Sequence, residues 1–465
     1  MERTYIKETI VNIGKEVILF GWVDTIRDHG KLTFIDLRDA SGKVQCVGSD
    51  ILKDLTPESV IRVIGEVCER PENMVNDEME TGKIEIKVKE YEVLNKSKEL
   101  PIPIDGDGLD INEEKRLEYR YLDLRRERMR KNLILRSKFV QELRNYLYGK
   151  NFIEVETPLL TKSTKEGARD FIIPSRYHPG KFYALPQAPQ QYKQLLMSSG
   201  VEKYFQLAKC IRDEDLRSDR GYEFTQLDLE MSFVEKEDIM ELIEDLVKGA
   251  VKGVGGKLKD KEFPVITYEE AHKKYGDDKF DLRTEKEKED GILSFAWVVD
   301  FPFFKKVDKK DAVERADGKS GYTFTHNPFS NPIPEDIEKH KEGKDVEGIT
   351  TQQYDLVCNG YEVGGGSIRA HDPEVLKATF KIMGYSDDEI EESIGHMLEA
   401  FRIGTPPHGG IALGIDRLVM ILAGETSIKE VIPFPMTSSG KTAVMDAPSE
   451  PSPEQLEELH LKVTE

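Results

Sequence analysis

With 465 residues, of which 38% are hydrophobic and 33% charged, the chain is long enough for two or three domains with a large core and must carry a very polar surface. It has no run of 18 apolar residues, and its start, MERTYIKETI, has no apolar leader region, which excludes a membrane-spanning helix and predicts no secretion signal. A net charge of −21 taken alone would argue against a nucleic-acid partner, but phosphate recognition needs only a local basic surface, and KRLEYRYLDLRRERMRK, residues 115–131, offers a candidate.

Residues 1–100 contain five β-rich runs separated by turn residues: EVILFGWVDTIRD, KLTFIDLRD, KVQCVG, VIRVIGEVCER and KIEIKVKEYEVL. Five short strands in this length predict a small barrel of the oligonucleotide-binding kind. The stretch LPIPIDGDGLD, 100–110, marks a boundary. A helix is predicted near 131–148, with Leu133, Ile134, Val140, Leu143 and Leu147 as its apolar face. From about 150 onward strands and helices mix without a βαβ rhythm. EFTQLDLEMSFV, 223–234, alternates, with Leu227, Leu229, Met231 and Phe233 on one face and Gln226, Asp228 and Glu230 on the other. A strand with one polar face predicts an antiparallel sheet open to a ligand on that side. Helices follow near 236–252, 373–384 and 387–402, the second capped by Asp372-Pro373 and the third opening on the capping-box pair Ser386 and Glu389. KEDGILSF, 288–295, reads as a connector. Cys46, Cys68, Cys210 and Cys358 form no CxxC pair and are expected to be free thiols in a reducing cytosol.

Four segments carry the chemistry. FIEVETPLL, 152–160, ends a strand at Pro158. KCIRDEDLRSDRGYEFTQLD, 209–228, places Arg212 and Glu214 two apart, which on a strand would share a face, and Arg217 and Arg220 in a hairpin loop. Arginine forks suit phosphate oxygens, although an isolated RxE is more often a solvated ion pair. YDLVCNGYEVGGGSIR, 354–369, offers Asp355 and Glu362 as hard oxygen ligands for Mg²⁺, with three glycines that would let main chain approach a ligand. GTPPHGGIALGIDRLVMILAG, 404–424, runs from a glycine-rich strand into an apolar helix with Arg417 at its N-terminus, a place suited to phosphate. The GxxxxGK[ST] pattern is missing from it, which excludes a P-loop there.

In this order the first, second and fourth segments resemble the three motifs of class II aminoacyl-tRNA synthetases. TKEGARDF, ALPQAPQQYKQLLM, RDEDLRSDR, YEVGGGSIR, TPPHGGIALGIDR and YRYLDLRR together are similar to the bacterial-type aspartyl-tRNA synthetases, over the chain from about residue 5 to the end. The resemblance implies an α+β architecture. An N-terminal five-stranded OB-fold barrel (1–100) would read the anticodon, a hinge (101–130) would follow, and a class II catalytic domain (131–465) would be built on an antiparallel sheet flanked by helices. It implies ATP and Mg²⁺, L-aspartate, tRNA(Asp), a homodimer associating around Pro158, and a cytoplasmic location. Arg212 would grip the ATP α-phosphate and the substrate carboxylate, Arg417 the γ-phosphate, and Phe224 would stack on adenine, with Glu214, Gln226 and Glu362 also at the nucleotide. Asp355 and Glu362 would hold the metal. Glu166, Gln190 and Asp228 would receive the aspartate ammonium group, Lys193 and Arg369 its side-chain carboxylate, with His326 nearby. In the barrel, Arg27, His29, Phe34, Gln45 and Glu90 match anticodon-reading positions. Taken alone, Phe34 reads more readily as barrel core.

The chain also departs from the family pattern. The domain usually inserted between the second and third motifs is essentially missing near 281–295. The usual second histidine before PF is Asn327 (TFTHNPF), and a serine common beside the glutamine is Ala188. The loop RDHGKL, 27–32, resembles that of non-discriminating members that also charge tRNA(Asn), through His29. The alternatives are an asparaginyl- or lysyl-tRNA synthetase, against which Lys193 with Arg369 argues because two cations suit a second carboxylate, a tRNA-independent amide-forming paralogue, and a non-catalytic RNA-binding paralogue.

Overall fold

The computed structural model describes residues 2–30, 32–48, 52 and 55–464. They divide into two compact units, 1–103 and 104–465.

In the first unit five strands, β1 (Glu16–Asp28), β2 (Thr33–Arg38), β3 (Lys43–Gly48), β4 (Val60–Glu69) and β5 (Ile84–Asn95), close into a barrel in the order β1-β2-β3-β5-β4. Every second residue turns inward: Val17, Leu19, Val23, Ile35, Leu37, Val44, Ile61, Val63, Ile84 and Ile86 fill the core. Phe34 sits between two inward residues, Thr33 and Ile35, and is only half-buried. It is therefore an outer-face residue rather than barrel core.

The second unit is built on an eight-stranded sheet. Its strands are β6 (Ile153–Glu154), β7 (Lys203–Ile211), β8 (Glu223–Ser232), β9 (Val265–Thr267), β10 (Phe295–Val299), β11 (Gln353–Cys358), β12 (Tyr361–Ile368) and β13 (His408–Gly414), in the order β9-β10-β11-β12-β13-β8-β7-β6. The central pairs are antiparallel; only the outermost pairs, β9 with β10 and β6 with β7, are parallel. The alternation of β8 is as expected through Met231. Leu227, Leu229 and Met231 join a core with Leu143 and Leu147 of helix α1 (Glu127–Gly149) and Ile243 and Leu246 of α2 (Lys236–Gly253). Phe233 does not follow them. The strand ends at Ser232, and Phe233 turns out at φ +60°, 66% exposed.

Helix α1 begins at Glu127, earlier than its apolar spacing suggests, and its buried stripe also differs. Ile134 is exposed, while Met129, Asn132 and Phe139 lie inside with Leu143 and Leu147. Asn132 is tolerated there because its amide donates to Glu425 (2.7 Å) and to the Glu430 carbonyl (3.1 Å).

The basic run 115–131 is not a free phosphate-binding surface. Arg116, Arg120 and Arg126 are buried around Asp123, which accepts from all three at 2.7–3.0 Å. Arg116 also pairs with Glu430 (2.7 Å), and Arg120 donates to the carbonyls of Lys429, Ile432 and Pro433. The run thus clamps residues 429–433. The neighbouring Ile428 N–H reaches the Ser218 carbonyl of the hairpin loop (2.9 Å). Asp123→Ala would remove the one carboxylate that three buried guanidinium groups share and is expected to cost about 3–5 kcal/mol of stability, read from urea unfolding. Unchanged unfolding would show that the clamp is dispensable.

Candidate active site

A cavity of about 370 Å³ opens on the polar face of the sheet. Twelve of the residues given amino-acid or nucleotide roles by the resemblance line it: Glu166, Gln190, Lys193, Arg212, Glu214, Phe224, Gln226, Asp228, His326, Glu362, Arg369 and Arg417. Asp355 lies beside them on β11.

The charged floor comes from three elements. Helix α3 (Gln190–Ser198) starts at Pro189 and turns Gln190 and Lys193 to one buried side. Strand β8 supplies Asp228 and Glu230, and Arg369 follows directly on β12. Lys193 Nζ lies 2.6 Å from Asp228 and 3.1 Å from Glu230. Arg369 donates to both Glu230 oxygens (2.9 and 3.3 Å), to Ser367 Oγ (2.9 Å) and to the Gly410 carbonyl (3.2 Å). Lys193 is 1% and Arg369 3% exposed. Two cations and two carboxylates therefore share a buried, charge-balanced quartet. Burial works against the charge on Glu230, but Arg369 and Lys193 outweigh it and hold the carboxyl at about 2. On Asp228 burial wins and the pKa is raised, and its Oδ2 has no hydrogen-bond partner among the described residues. Glu230 went unassigned in the sequence, where it is only the third polar residue of an alternating strand. A Cβ on Gly410 would stand 2.2 Å from Glu230 Oε2, so that glycine makes room for the carboxylate.

The three consecutive glycines divide their work. A Cβ on Gly364 would meet Leu413 at 2.4 Å and one on Gly366 the Gly410 carbonyl at 2.2 Å, so both serve close strand packing. Only Gly365 has its missing side chain toward the acidic groups, 3.1 Å from Asp355 and 3.7 Å from Glu362. The register of β11 and β12 shifts between Leu356 and Val357, and this bulge brings Glu362, three residues before Gly365, onto the same face.

At the other end of the cavity the chain has left β7 at Ile211, so Arg212 and Glu214 share a loop rather than a strand face. The Arg212 guanidinium lies 5.1 Å from the Phe224 ring centre and donates once, to the Gln187 carbonyl (3.2 Å). Glu214 pairs with Arg220 (3.4 Å). Arg417 stands in the first turn of α6 (Ile415–Ala423), which follows α4 (Pro373–Ile382) and α5 (Asp387–Arg402) in the chain. It donates to the Glu362 carbonyl (2.8 Å) and pairs with Asp219 (3.1 Å). Asp416 anchors the turn by accepting from the Thr225 N–H (2.8 Å) and Arg136 (2.6 Å). Gln226 Oε1 accepts from Cys210 (3.2 Å), whose thiol burial pushes up to about 12. The four cysteines are unpaired.

Between these ends Asp355, Asp278 and His326 bring ligand atoms within 4.8 Å of one another. Burial and neighbouring carboxylates push Asp355 up to about 7 despite His326 3.6 Å away, and its Oδ2 has no hydrogen-bond partner among the described residues. Lys279 approaches both Glu362 (3.7 Å) and Asp278 (3.6 Å). Asp278 and Lys279 carried no motif in the sequence. Glu166 is half-buried at the cavity wall, where burial pushes it up to about 7 against the opposing influence of Arg212. Asn327, in the place of a histidine, holds the loop instead: it donates to Gln353 (3.3 Å) and accepts the Phe329 N–H (3.0 Å).

In the barrel unit, Arg27 forms a bidentate pair with Asp36 (2.8 and 2.9 Å) and reaches Gln45 (3.3 Å), which donates to Glu85 (3.0 Å). His29 sits edge-on to Phe34, ring centres 5.5 Å apart, at a hairpin where Gly30 takes φ +81° and the His29 N–H reaches the Leu32 carbonyl (2.9 Å). Lys31 of that loop lies outside the described residues. Glu90 is exposed on β5, opposite Ile64, and among the described residues no hydrogen bond or ring contact ties it to the other four.

Residues 112–438 match the family model described as tRNA synthetases class II (D, K and N), and residues 17–94 match that of the OB-fold nucleic acid binding domain. The aspartate–tRNA(Asp/Asn) ligase of Phenylobacterium zucineum is 40% identical, with 97% of this chain and 96% of that protein covered. The chain belongs to the aspartate–tRNA ligase family of class II synthetases. The synthetase is also 39% identical to the aspartate–tRNA(Asp/Asn) ligase of Natranaerobius thermophilus, with 97% of each covered. Among solved structures it resembles the asparaginyl-tRNA synthetase of Pyrococcus horikoshii complexed with asparaginyl-adenylate, with a TM-score of 0.74, 25% identity, and 94% and 98% of the two chains covered. No helix of this synthetase among the described residues is long and apolar enough to cross a membrane.

Proposed function

We propose that the enzyme joins L-aspartate to ATP as aspartyl-adenylate and passes the aspartyl group to the 3′ end of tRNA(Asp), and to tRNA(Asn) as well. The observation that carries the amino-acid assignment is the buried quartet, with Lys193 and Arg369 at the cavity floor and Asp228 Oδ2 left without a partner. A small diacid satisfies this arrangement: its side-chain carboxylate meets the two cations and its ammonium group meets Asp228, Gln190 and Glu166. With Asp228 engaged by the ammonium group, asparagine would leave Lys193 and Arg369 to share Glu230 alone, which is costly for buried cations. Arg369 presents a fork and Lys193 a point charge.

The aspartate α-carboxylate attacks the α-phosphorus in line, and pyrophosphate leaves. Arg212, with a single hydrogen bond of its own, is free to neutralise charge on the carboxylate and α-phosphate. Arg417 would hold the γ-phosphate, and Phe224 the adenine ring. No protein nucleophile is needed, since positioning and charge neutralisation lower the barrier. Asp355 and Glu362 would hold Mg²⁺; crowded carboxylates with an unpartnered buried oxygen suit a hard divalent cation. Mg²⁺ would supply charge neutralisation at the phosphates.

Glu166 gives this reading a pH signature. Its carboxylate attracts the ammonium group and its acid form does not, so a carboxyl at about 7 loses affinity for aspartate as pH falls through that value. At saturating ATP and Mg²⁺, which keep Asp355 ionised, the KM for aspartate is expected to rise about eightfold from pH 7.5 to 6. Glu166→Gln should flatten that profile, and a slope that persists in the variant would assign it elsewhere.

The barrel would read the anticodon through Phe34 as a stacking platform and Gln45 as a base-edge partner, with Arg27 and Glu90 beside them. The closeness of His29 to Phe34 supports a part for this histidine in accepting both tRNAs. The tRNA(Asp/Asn) in the relatives' names points the same way. Charging purified tRNA(Asp) and tRNA(Asn) with aspartate tests it: both should accept, and a failure of tRNA(Asn) would make the enzyme discriminating. The loss of an inserted domain is supported by the alignment to the Phenylobacterium protein, whose 582 positions exceed the 465 residues here by 117. The exposed Ile153, Leu159 and Leu160 around Pro158 support that segment as a homodimer face. The four unpaired thiols suit a cytoplasmic enzyme.

A further inference from the structure

Behind the amino-acid end of the cavity two polar side chains that the mechanism does not use, Gln194 and His408, form a row with Gln190. His408 Nδ1 lies 2.8 Å from the Pro406 carbonyl, His408 Nε2 3.1 Å from Gln194 Nε2, and Gln194 Oε1 accepts from Gln190 Nε2 at 3.0 Å. Gln190, Gln194 and His408 are all buried. With the ring neutral, the row admits one consistent assignment of hydrogens. A carbonyl can only accept, so His408 Nδ1 carries the proton and donates to Pro406. His408 Nε2 is then the acceptor, and Gln194 must point its amide nitrogen at it. Gln194 therefore turns its oxygen toward Gln190, whose nitrogen is consumed in reply. The end of Gln190 left to the cavity is its carbonyl oxygen.

We propose that His408, acting through Gln194, is a positioning residue that fixes the Gln190 amide with its oxygen toward the substrate, so that this oxygen receives the α-ammonium group. The inference rests on the aspartate reading above and deepens it. A free glutamine at this place would present its NH₂ to an ammonium group as readily as its oxygen, and would then repel it. The neutral ring on which this assignment rests is consistent with its setting. Burial lowers the His408 pKa to about 4, despite Glu230 nearby, with Arg369 and His371 also opposing its charge. Phe401 packs edge-on against the ring.

The test is steady-state pyrophosphate exchange with separate KM values for aspartate and ATP. Gln194→Met keeps the length of the side chain and removes its polar ends. It is expected to raise the aspartate KM about tenfold, the worth of one hydrogen bond to a charged group, with the ATP KM unchanged. Gln194→Glu still offers an oxygen to Gln190 Nε2 and should recover most of the loss. His408→Gln, which can place an amide oxygen near the position of Nε2, should stay within about threefold of wild type, whereas His408→Phe should behave like Gln194→Met. An unchanged aspartate KM in Gln194→Met and His408→Phe, a parallel rise in both KM values, or a Glu variant no better than Met would each overturn the relay. Exchange by the wild-type enzyme is the control: if aspartate does not support it, the substrate assignment fails, whereas normal wild-type exchange with insensitive variants removes the relay alone.

Discussion

Replacing Arg369 with leucine is expected to reduce aspartate-dependent pyrophosphate exchange by about a thousandfold or more in kcat/KM. The change removes the guanidinium proposed to grip the second carboxylate and leaves Glu230, now held ionised by Arg369 and Lys193, with a single partner. Truncating one member of a buried charge pair costs roughly 2–5 kcal/mol in binding, and stranding Glu230 should also lower stability by about 3–5 kcal/mol. Arg369→Lys separates the two effects. It keeps a cation for Glu230 but loses the fork that also reaches Ser367 and the Gly410 carbonyl, so it should fold with near-native stability and still bind aspartate poorly. Full exchange activity in a folded Arg369→Leu enzyme would remove the basis for calling the substrate a diacid.

Arg212→Ala should act on rate rather than on folding. Among the described residues Arg212 makes a single hydrogen bond, to the Gln187 carbonyl, and lies over Phe224; unlike Arg369 it sits in no buried quartet. Removing a preorganised group that stabilises developing charge typically costs 10²–10³ in kcat, about 2.7–4 kcal/mol. The expected result is a loss of that size in exchange, with the unfolding midpoint almost unmoved. A loss confined to the ATP KM would make Arg212 a ground-state binder instead.

These two arginines also mark what was legible in the sequence. The strand alternation of 223–232 placed Asp228 on the polar face of β8, because period is a local property. The part played by Glu230 was not legible. Its role depends on two cations from α3 and the end of β12, brought together by strand pairing over more than 130 residues of separation. The glycine run was legible as close approach, but not the division of labour within it. That follows from the bulge opposite Val357, which the residue pattern does not encode. The basic run 115–131 misled for the same reason: Asp123, one acidic residue among many, turns three of its arginines inward. Phe233 continued a period that the backbone had already left, and nothing in its side chain signals the left-handed turn. Asp278 and Lys279 sit in a loop without periodicity and reach Asp355 and Glu362 only in the folded chain.

The central claim is that the cavity floor selects a small diacid. Pyrophosphate exchange by the purified enzyme with aspartate, asparagine and lysine, each at millimolar concentration with ATP and Mg²⁺, tests it directly. Exchange driven by aspartate alone is the predicted result; exchange driven by asparagine or lysine in its place would contradict it.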